Sequence, residues 1–360
     1  MEKQAVMGVL DREYLGMGAE VQLFEEALSD FFGRPAVCVI NGTAALHLAL
    51  QACGIGRDDE VLVPSLTYIS SFQSISATGA KPIACDISKE TYLLNIEDAE
   101  RRITRKTKAL MPVHYTGGVG DLKAVFKFAE KNNLRVIEDA AHALGTIYNN
   151  KRVGSFGDVA CFSFDGIKNI TSGEGGCIVT DNKDVLQKVR DARLLGVEKD
   201  TDKRYSDQRS WDFNTKAQGW RYHMSNIMAA IGIEQLKRFS KFAAKRKKLA
   251  KHYDELLANH SIIQPVPRDY DDVVPHIYVV RINEMKNRSE IQQKMLEKGI
   301  QVGYHYQPNH WLSLYKNEKS RALPVTDSVF PELMSLPLHP DLSKDDVGYV
   351  ASELIKLISY

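Results

Sequence analysis

The sequence predicts an α/β protein in two parts: a large domain with a mostly parallel central sheet flanked by helices, and a smaller C-terminal α+β domain. Three observations predict it. From about residue 34 to 200, short runs rich in β-branched residues alternate with helical stretches, the pattern of strands joined by crossover helices. Most of those runs are apolar throughout, as expected where helices cover both faces of a sheet. At 360 residues the chain exceeds what one compact core usually holds, so a second domain is expected.

The strand-like runs are residues 36–40, 60–64, 82–85, 109–113, 134–137, 159–164 and 177–180, with helical spacing at 43–52, 122–131 and 183–194 between them. Residues 196–218 break the periodicity with Lys199, Asp200, Asp202, Lys203, Arg204, Asp207 and Arg209, a polar excursion. One long helix is expected over 226–259, where Ile227, Ala230, Ile231, Ile233, Leu236, Phe239 and Phe242 keep helical spacing and Lys245 to Lys248 form a solvated face. Beyond it, strand-like 276–282 and 301–305 alternate with helical 289–298 and 345–358. The expected organisation is therefore a large domain over 1–225, a connecting helix over 226–259 and a small domain over 260–360.

Composition narrows the function. Lys and Arg number 47 against 46 Asp and Glu, so no long-range field gathers nucleic acid or an anionic membrane, and neither partner is expected. Residues 1–10 hold no long apolar stretch, so neither a signal peptide nor a membrane span is expected. Cys38, Cys53, Cys85, Cys161 and Cys177 are odd in number and form no Cys-x-x-Cys pair, which suits reduced core thiols and a cytoplasmic location.

Three strand ends carry the chemistry. At Val39-Ile40-Asn41-Gly42-Thr43-Ala44 a strand runs into a helix start, where free N–H groups and the helix dipole favour an anion; a plain N-cap has the same look. At Val136-Ile137-Glu138-Asp139-Ala140-Ala141-His142 an apolar strand delivers two carboxylates and an imidazole at its carboxyl end, where open α/β sheets place ligands. Asp139 there either caps the next helix or pairs with a cation such as a protonated pyridine nitrogen. At Phe162-Ser163-Phe164-Asp165-Gly166-Ile167-Lys168 a lysine follows an apolar strand and precedes Gly173-Glu174-Gly175-Gly176. It is a surface turn lysine or one whose amine is held uncharged for imine chemistry. His305 and His310 lie five apart around Pro308 without a carboxylate at ligand spacing, so no metal centre is expected. An anion cradle, a carboxylate and a lysine on one sheet edge are the groups that pyridoxal phosphate requires.

These motifs together resemble the DegT/DnrJ/EryC1/StrS sugar aminotransferases, of the fold type I, aspartate-aminotransferase-like enzymes that use pyridoxal phosphate. The likeness runs from about Gly18 to Leu357 and includes Asn41 to His47, Val63-Pro64 through Thr67-Tyr68, Pro112-Val113-His114, Glu138 to His142, Lys168-Asn169 with the glycine block, His305 to His310, and Ser335-Leu336-Pro337. The resemblance implies that Lys168 holds the cofactor as an imine and shuttles the proton, and that Asp139 keeps the pyridine nitrogen protonated. It further implies that Gly42, Thr43, Ala44 and Ser163 hold the phosphate, Tyr68 stacks on the ring, and His142, where many relatives have Gln, lies near the ring hydroxyl. His305, Tyr306 and His310 would line the sugar side. Arg221-Tyr222-His223 departs from the relatives' Asn-Tyr-Arg, so Arg221 either contacts the cofactor phosphate of a neighbouring subunit or grips the substrate diphosphate. The implied reaction moves an amino group from glutamate, leaving 2-oxoglutarate, to a nucleotide-linked keto sugar in a homodimer. A dehydratase of the same family, which typically has His in place of the lysine, and a silent binding protein on the same scaffold are the alternatives.

Overall fold

The computed structural model describes residues 1–316 and 321–358. The chain begins with α1 (Glu2–Asp11) and α2 (Ala19–Phe32), then alternates β1 (Ala36–Val39), α3 (Gly42–Ala52), β2 (Glu60–Pro64), α4 (Ile69–Ala77), β3 (Lys81–Cys85), α5 (Ile96–Arg102), β4 (Thr107–Leu110), α6 (Leu122–Lys131) and β5 (Arg135–Asp139). A small hairpin, β6 (Ile147–Tyr148) and β7 (Lys151–Arg152), precedes β8 (Val159–Ser163), β9 (Gly176–Val179), α7 (Lys183–Ala192) and α8 (Asp200–Tyr205). The remainder is α9 (Asn226–Lys237), α10 (Phe239–Leu257), β10 (Ile263–Pro265), β11 (Tyr278–Ile282), α11 (Arg288–Glu297), α12 (Pro324–Val329), β12 (Leu333–Leu336) and α13 (Lys344–Ile358).

The large sheet has the order β1-β9-β8-β5-β4-β2-β3. Its strands run parallel except β9, which is antiparallel to both β1 and β8. The reason is the connection: no crossover helix lies between β8 and β9, so the chain turns back beside the strand it has just left. Strand side chains alternate between two covered faces. Val37, Val39, Val159, Cys161 and Ile178 face a core shared with α3 and α7, while Ala36, Cys38, Ala160, Phe162 and Cys177 face one shared with Phe24 and Leu28 of α2. Burial on both sides explains the continuously apolar runs.

The C-terminal sheet, β10-β11-β12, is antiparallel. Tyr278, Val280 and Leu336 of that sheet pack with Tyr253 and Leu257 of α10, Met295 of α11, and Val350 and Leu354 of α13. Two expectations are corrected here. The single helix over 226–259 is broken at Arg238 (φ −103, ψ 1), so that α9 packs on α1 and α2 while the far half of α10 joins the C-terminal core. Residues 301–305 form no strand; a lone bridge joins Gly303 to Ser335. Among the described residues no helix is long and apolar enough to cross a membrane.

One buried ion pair ties the sheet edge to three helices. Arg193, fully buried just after α7, donates to the Glu25 carboxylate of α2, to the Cys38 carbonyl of β1 at 2.6 Å, and to the Tyr205 hydroxyl of α8 at 3.0 Å. Glu25 also accepts from the Cys38 N–H at 2.7 Å and from the Tyr205 hydroxyl. Removing one partner leaves the other charge buried alone, which costs about 3–5 kcal/mol. Arg193→Met is therefore expected to lower the unfolding free energy by roughly that amount, read as an earlier midpoint in urea denaturation.

Candidate active site

Parallel strands present their carboxyl ends along one edge, and the candidate residues gather there because their positions in sequence end those strands. A cavity of about 360 Å³ opens at this edge, lined among others by Gly42, Thr43, Tyr68, Asp139, His142, Ser163, Lys168, His305 and Tyr306. Antiparallel β9 starts here too, at Gly176, opposite Val39 and Ser163. A Cβ at Gly176 would stand 2.5 Å from the Asn41 carbonyl oxygen, and one at Gly42 would stand 2.8 Å from Ser163 Cβ. Only glycine lets the β9 entry, the α3 start and the β8 end meet this closely.

The helix start is open. Asn41 caps α3 by accepting the Ala44 N–H at 2.8 Å, and Gly42 and Thr43 begin the first turn, whose N–H groups have no acceptor within the helix. Ala44 is buried with its N–H committed to that cap, and it does not line the cavity.

Asp139 ends β5 and is buried. Its Oδ2 accepts from the Ser71 hydroxyl at 2.7 Å and its Oδ1 from the Ala141 N–H at 3.3 Å. The Ser71 hydroxyl also lies 2.8 Å from that of Thr67, so α4 is anchored to the acid from one side. Burial pushes the Asp139 carboxyl up; the donations from Ser71 and Ala141 and the charge of Lys168 oppose it. Burial pushes the Lys168 amine the other way, below its usual value, against the pull of the Asp139 and Asp165 carboxylates. Lys168 Nζ stands 3.3 Å from His276 Nε2.

Imidazoles and a phenol close the opposite wall. His142 Nε2 is 2.9 Å from the Tyr306 hydroxyl, and the His142 ring lies 4.4 Å from that of His276, centroid to centroid. Burial holds both imidazoles well below their usual value, so both are neutral. His305 Nδ1 is 2.7 Å from Ser335 Oγ, and burial with nearby Lys168 lowers His305 to about 4. Tyr68, 55% exposed at the cavity mouth, has its ring 5.5 Å from that of Tyr306.

Two more expected site residues, besides Ala44, lie outside the cavity. His310 is held between Ser65 Oγ at 2.7 Å and Asp327 Oδ1 at 2.9 Å, outside this cavity. Arg221 is exposed, bridged to Leu194, and also outside it. Sequence reasoning missed Ser71 and His276. Ser71 reaches its partner across 68 residues, a separation no local pattern encodes; His276 was legible only as the head of a strand-like run. Among the described residues no group of three or more His, Cys, Asp or Glu could hold a metal ion.

The residues fit pyridoxal phosphate. The open α3 start with Thr43 and Ser163 suits a phosphate, a buried carboxylate without a cationic partner in hydrogen-bond contact suits a pyridinium, and a buried amine suits an aldehyde. Few chemistries call for an amine that burial pushes toward its uncharged form near an acid that burial pushes toward protonation. Those of pyridoxal phosphate do, and the two-part architecture is that of its fold type I enzymes. Comparison with known proteins narrows the class. Residues 1–355 match the DegT/DnrJ/EryC1/StrS aminotransferase family. The chain is 36% identical to an uncharacterized protein of Methanocaldococcus jannaschii over 99% of its own length and 95% of that protein's. Its fold matches the putative sugar aminotransferase Spr1654 from Streptococcus pneumoniae in its PLP form, at 28% identity and a TM-score of 0.92, over 99% of this chain and 96% of that one. It matches Helicobacter pylori PseC, an aminotransferase involved in the biosynthesis of pseudoaminic acid, at 27% identity and a TM-score of 0.91, with coverage of 99% and 96%. The chain belongs to the DegT/DnrJ/EryC1/StrS aminotransferase family and is a pyridoxal-phosphate-dependent sugar aminotransferase.

The lowered imidazole of His305 has a consequence for acid stability. Its folded value of about 4 lies below the ordinary 6.5, so folding favours the neutral ring. That contribution is complete above about 6.5 and is lost as pH falls toward 4. His305→Gln is expected to melt with a shallower loss of Tm between pH 6.5 and 4 than the parent; identical slopes would count against burial as the cause.

Proposed function

We propose that the enzyme moves the amino group of glutamate to the third or fourth carbon of a nucleotide-linked keto-deoxy sugar, in the cytoplasm, as a step of amino-sugar or polysaccharide biosynthesis. The observation that carries this reading is the polarity of the wall beside Lys168. Thr67, Ser70, Asp165 and Glu174 supply hydroxyls and carboxylates there, and Tyr68 forms a half-open rim. Such groups hydrogen-bond a polyhydroxylated substrate and leave its bulkier nucleotide portion outside. The likeness to PseC, which acts in pseudoaminic acid biosynthesis, and to Spr1654, a putative sugar aminotransferase, supports the same reading.

In this proposal Gly42, Thr43 and Ser163 hold the cofactor phosphate, Asp139 pairs with the pyridine nitrogen, Tyr68 covers a ring face, and His142 lies beside the ring hydroxyl. Bound there, pyridoxal phosphate supplies the electron sink that makes the carbon next to the transferred nitrogen acidic. Lys168 Nζ carries the proton between carbon atoms, and burial favours the free amine that this role needs. Ser71 and the Ala141 N–H favour the ionised form of Asp139 against the effect of its burial. Tyr306 and His142 exclude water from the inner wall, and His305 contacts the sugar. Arg221, exposed and away from its own cavity, serves the neighbouring active site of a homodimer, where it contributes a charge-assisted contact to phosphate.

Lys168→Ala is expected to retain measurable cofactor binding and to lose turnover by several orders of magnitude. Borohydride should fix the cofactor to Lys168 in the parent enzyme. Near-normal turnover in the variant would sink the assignment of Lys168. Thymidine-, uridine-, guanosine- and cytidine-linked keto sugars, each offered with glutamate, should yield 2-oxoglutarate and an amino sugar from one nucleotide class. A deoxy sugar without incorporated nitrogen would instead mark a dehydratase.

A further inference from the structure

We propose that His276 is a positioning residue for Lys168, its Nε2–H donating to the lone pair of the free amine and holding Nζ uncharged at the inner wall whenever that amine is not bonded to the cofactor. The inference rests on the reading of Lys168 as the cofactor lysine. The two nitrogens stand 3.3 Å apart. His276 is 3% exposed and lies just ahead of β11. Its carbonyl accepts from Arg246 Nη1 at 2.9 Å, and its ring lies against that of His142. Backbone and ring are thus both fixed, and the imidazole has little room to turn away from Nζ.

The other ring nitrogen selects the tautomer. His276 Nδ1 is buried and has no hydrogen-bond partner among the described residues. A proton placed there would be an orphaned buried donor, which costs more than a bare lone pair. The proton therefore sits on Nε2, facing Nζ. An Nε2–H needs an acceptor, which a neutral amine provides and an ammonium does not. The remaining charged and titratable groups around Lys168 pull unequally. The Asp139 and Asp165 carboxylates favour the ammonium, with Glu174 at the same cavity. His142 and His305 are imidazoles that burial keeps neutral. Against two carboxylates, a donor from the C-terminal domain keeps the amine available as a base.

The test reads the amine in the cofactor-free full-length protein. Reductive methylation across a pH series, followed by mass analysis of the Lys168 peptide, gives the midpoint of its reactivity. His276→Phe keeps the ring volume and removes the donor; it should move that midpoint upward by about one pH unit, a roughly tenfold slower reaction below it. His276→Gln, whose amide N–H reaches a similar place, should restore most of the difference. An unmoved or lowered midpoint in folded His276→Phe overturns the proposal. Nitrogen-15 spectra of the histidine-labelled parent decide the tautomer without any variant: the proton of His276 on Nε2 supports the proposal, and a proton on Nδ1 overturns it. Trapping of pyridoxal phosphate by borohydride on another lysine would sink the site assignment instead, while leaving the methylation result as a statement about the amine alone.

Discussion

The molecule is organised around the burial of one amine beside one carboxylate. Burial moves Lys168 and Asp139 toward their uncharged forms, while each favours the charged form of the other. A simple ion pair would settle the matter by direct contact. Instead the Asp139 oxygens are taken by Ser71 and the Ala141 N–H, and the Lys168 amine rests near His276. The two groups are held apart, each with neutral partners. Such an arrangement contributes little to folding, and it makes sense where a cationic ring and an aldehyde complete it.

The fold supplies the rigidity that this separation needs. Asp139 ends a strand with parallel neighbours on both sides, so its backbone is fixed by sheet hydrogen bonds. Lys168 lies on the loop between β8 and β9, where the chain reverses its direction in the large sheet. That reversal brings a glycine-rich entry back to the same edge. Had β9 continued the parallel pattern, a crossover helix would have separated it from β8, and the lysine loop would lose the second strand that closes it. Gly176 and Gly42 then permit the approach of α3 that brings the helix start within the cavity.

Much of this was legible in the sequence for a physical reason. Strands buried on two faces must be apolar throughout, and residues that end such runs must sit at the sheet edge, so the pattern alone gathers Asp139, Lys168, Thr43 and Ser163. What escaped depends on contacts between distant segments. The break at Arg238 has neither proline nor glycine to announce it; it redirects α10, whose first turn stays in the core of α9 and whose far half joins the C-terminal core. Residues 301–305 alternate like a strand, but the bridge at Gly303 is all the pairing that β12 offers them. Ser71 is one serine in a helix rich in small polar residues, and only the folded chain sets it against Asp139. His310, motif-like in sequence, spends both ring nitrogens on Ser65 and Asp327.

The site is assembled from parts with different constraints. The large sheet contributes the acid, fixed by strand pairing, the α3 start, fixed by its Asn41 cap, and the loop between β8 and β9 that carries the lysine. The C-terminal domain contributes His276, His305 and Tyr306 from loops outside any central strand. Loop residues can change without disturbing a sheet register, whereas a substitution at a strand end shifts everything hydrogen-bonded to it. Relatives at 27% and 36% identity keep nearly the whole length in common. The groups suited to pyridoxal phosphate thus lie along the sheet edge, and the facing loops that carry His305 and Tyr306 can vary in shape at small cost in folding.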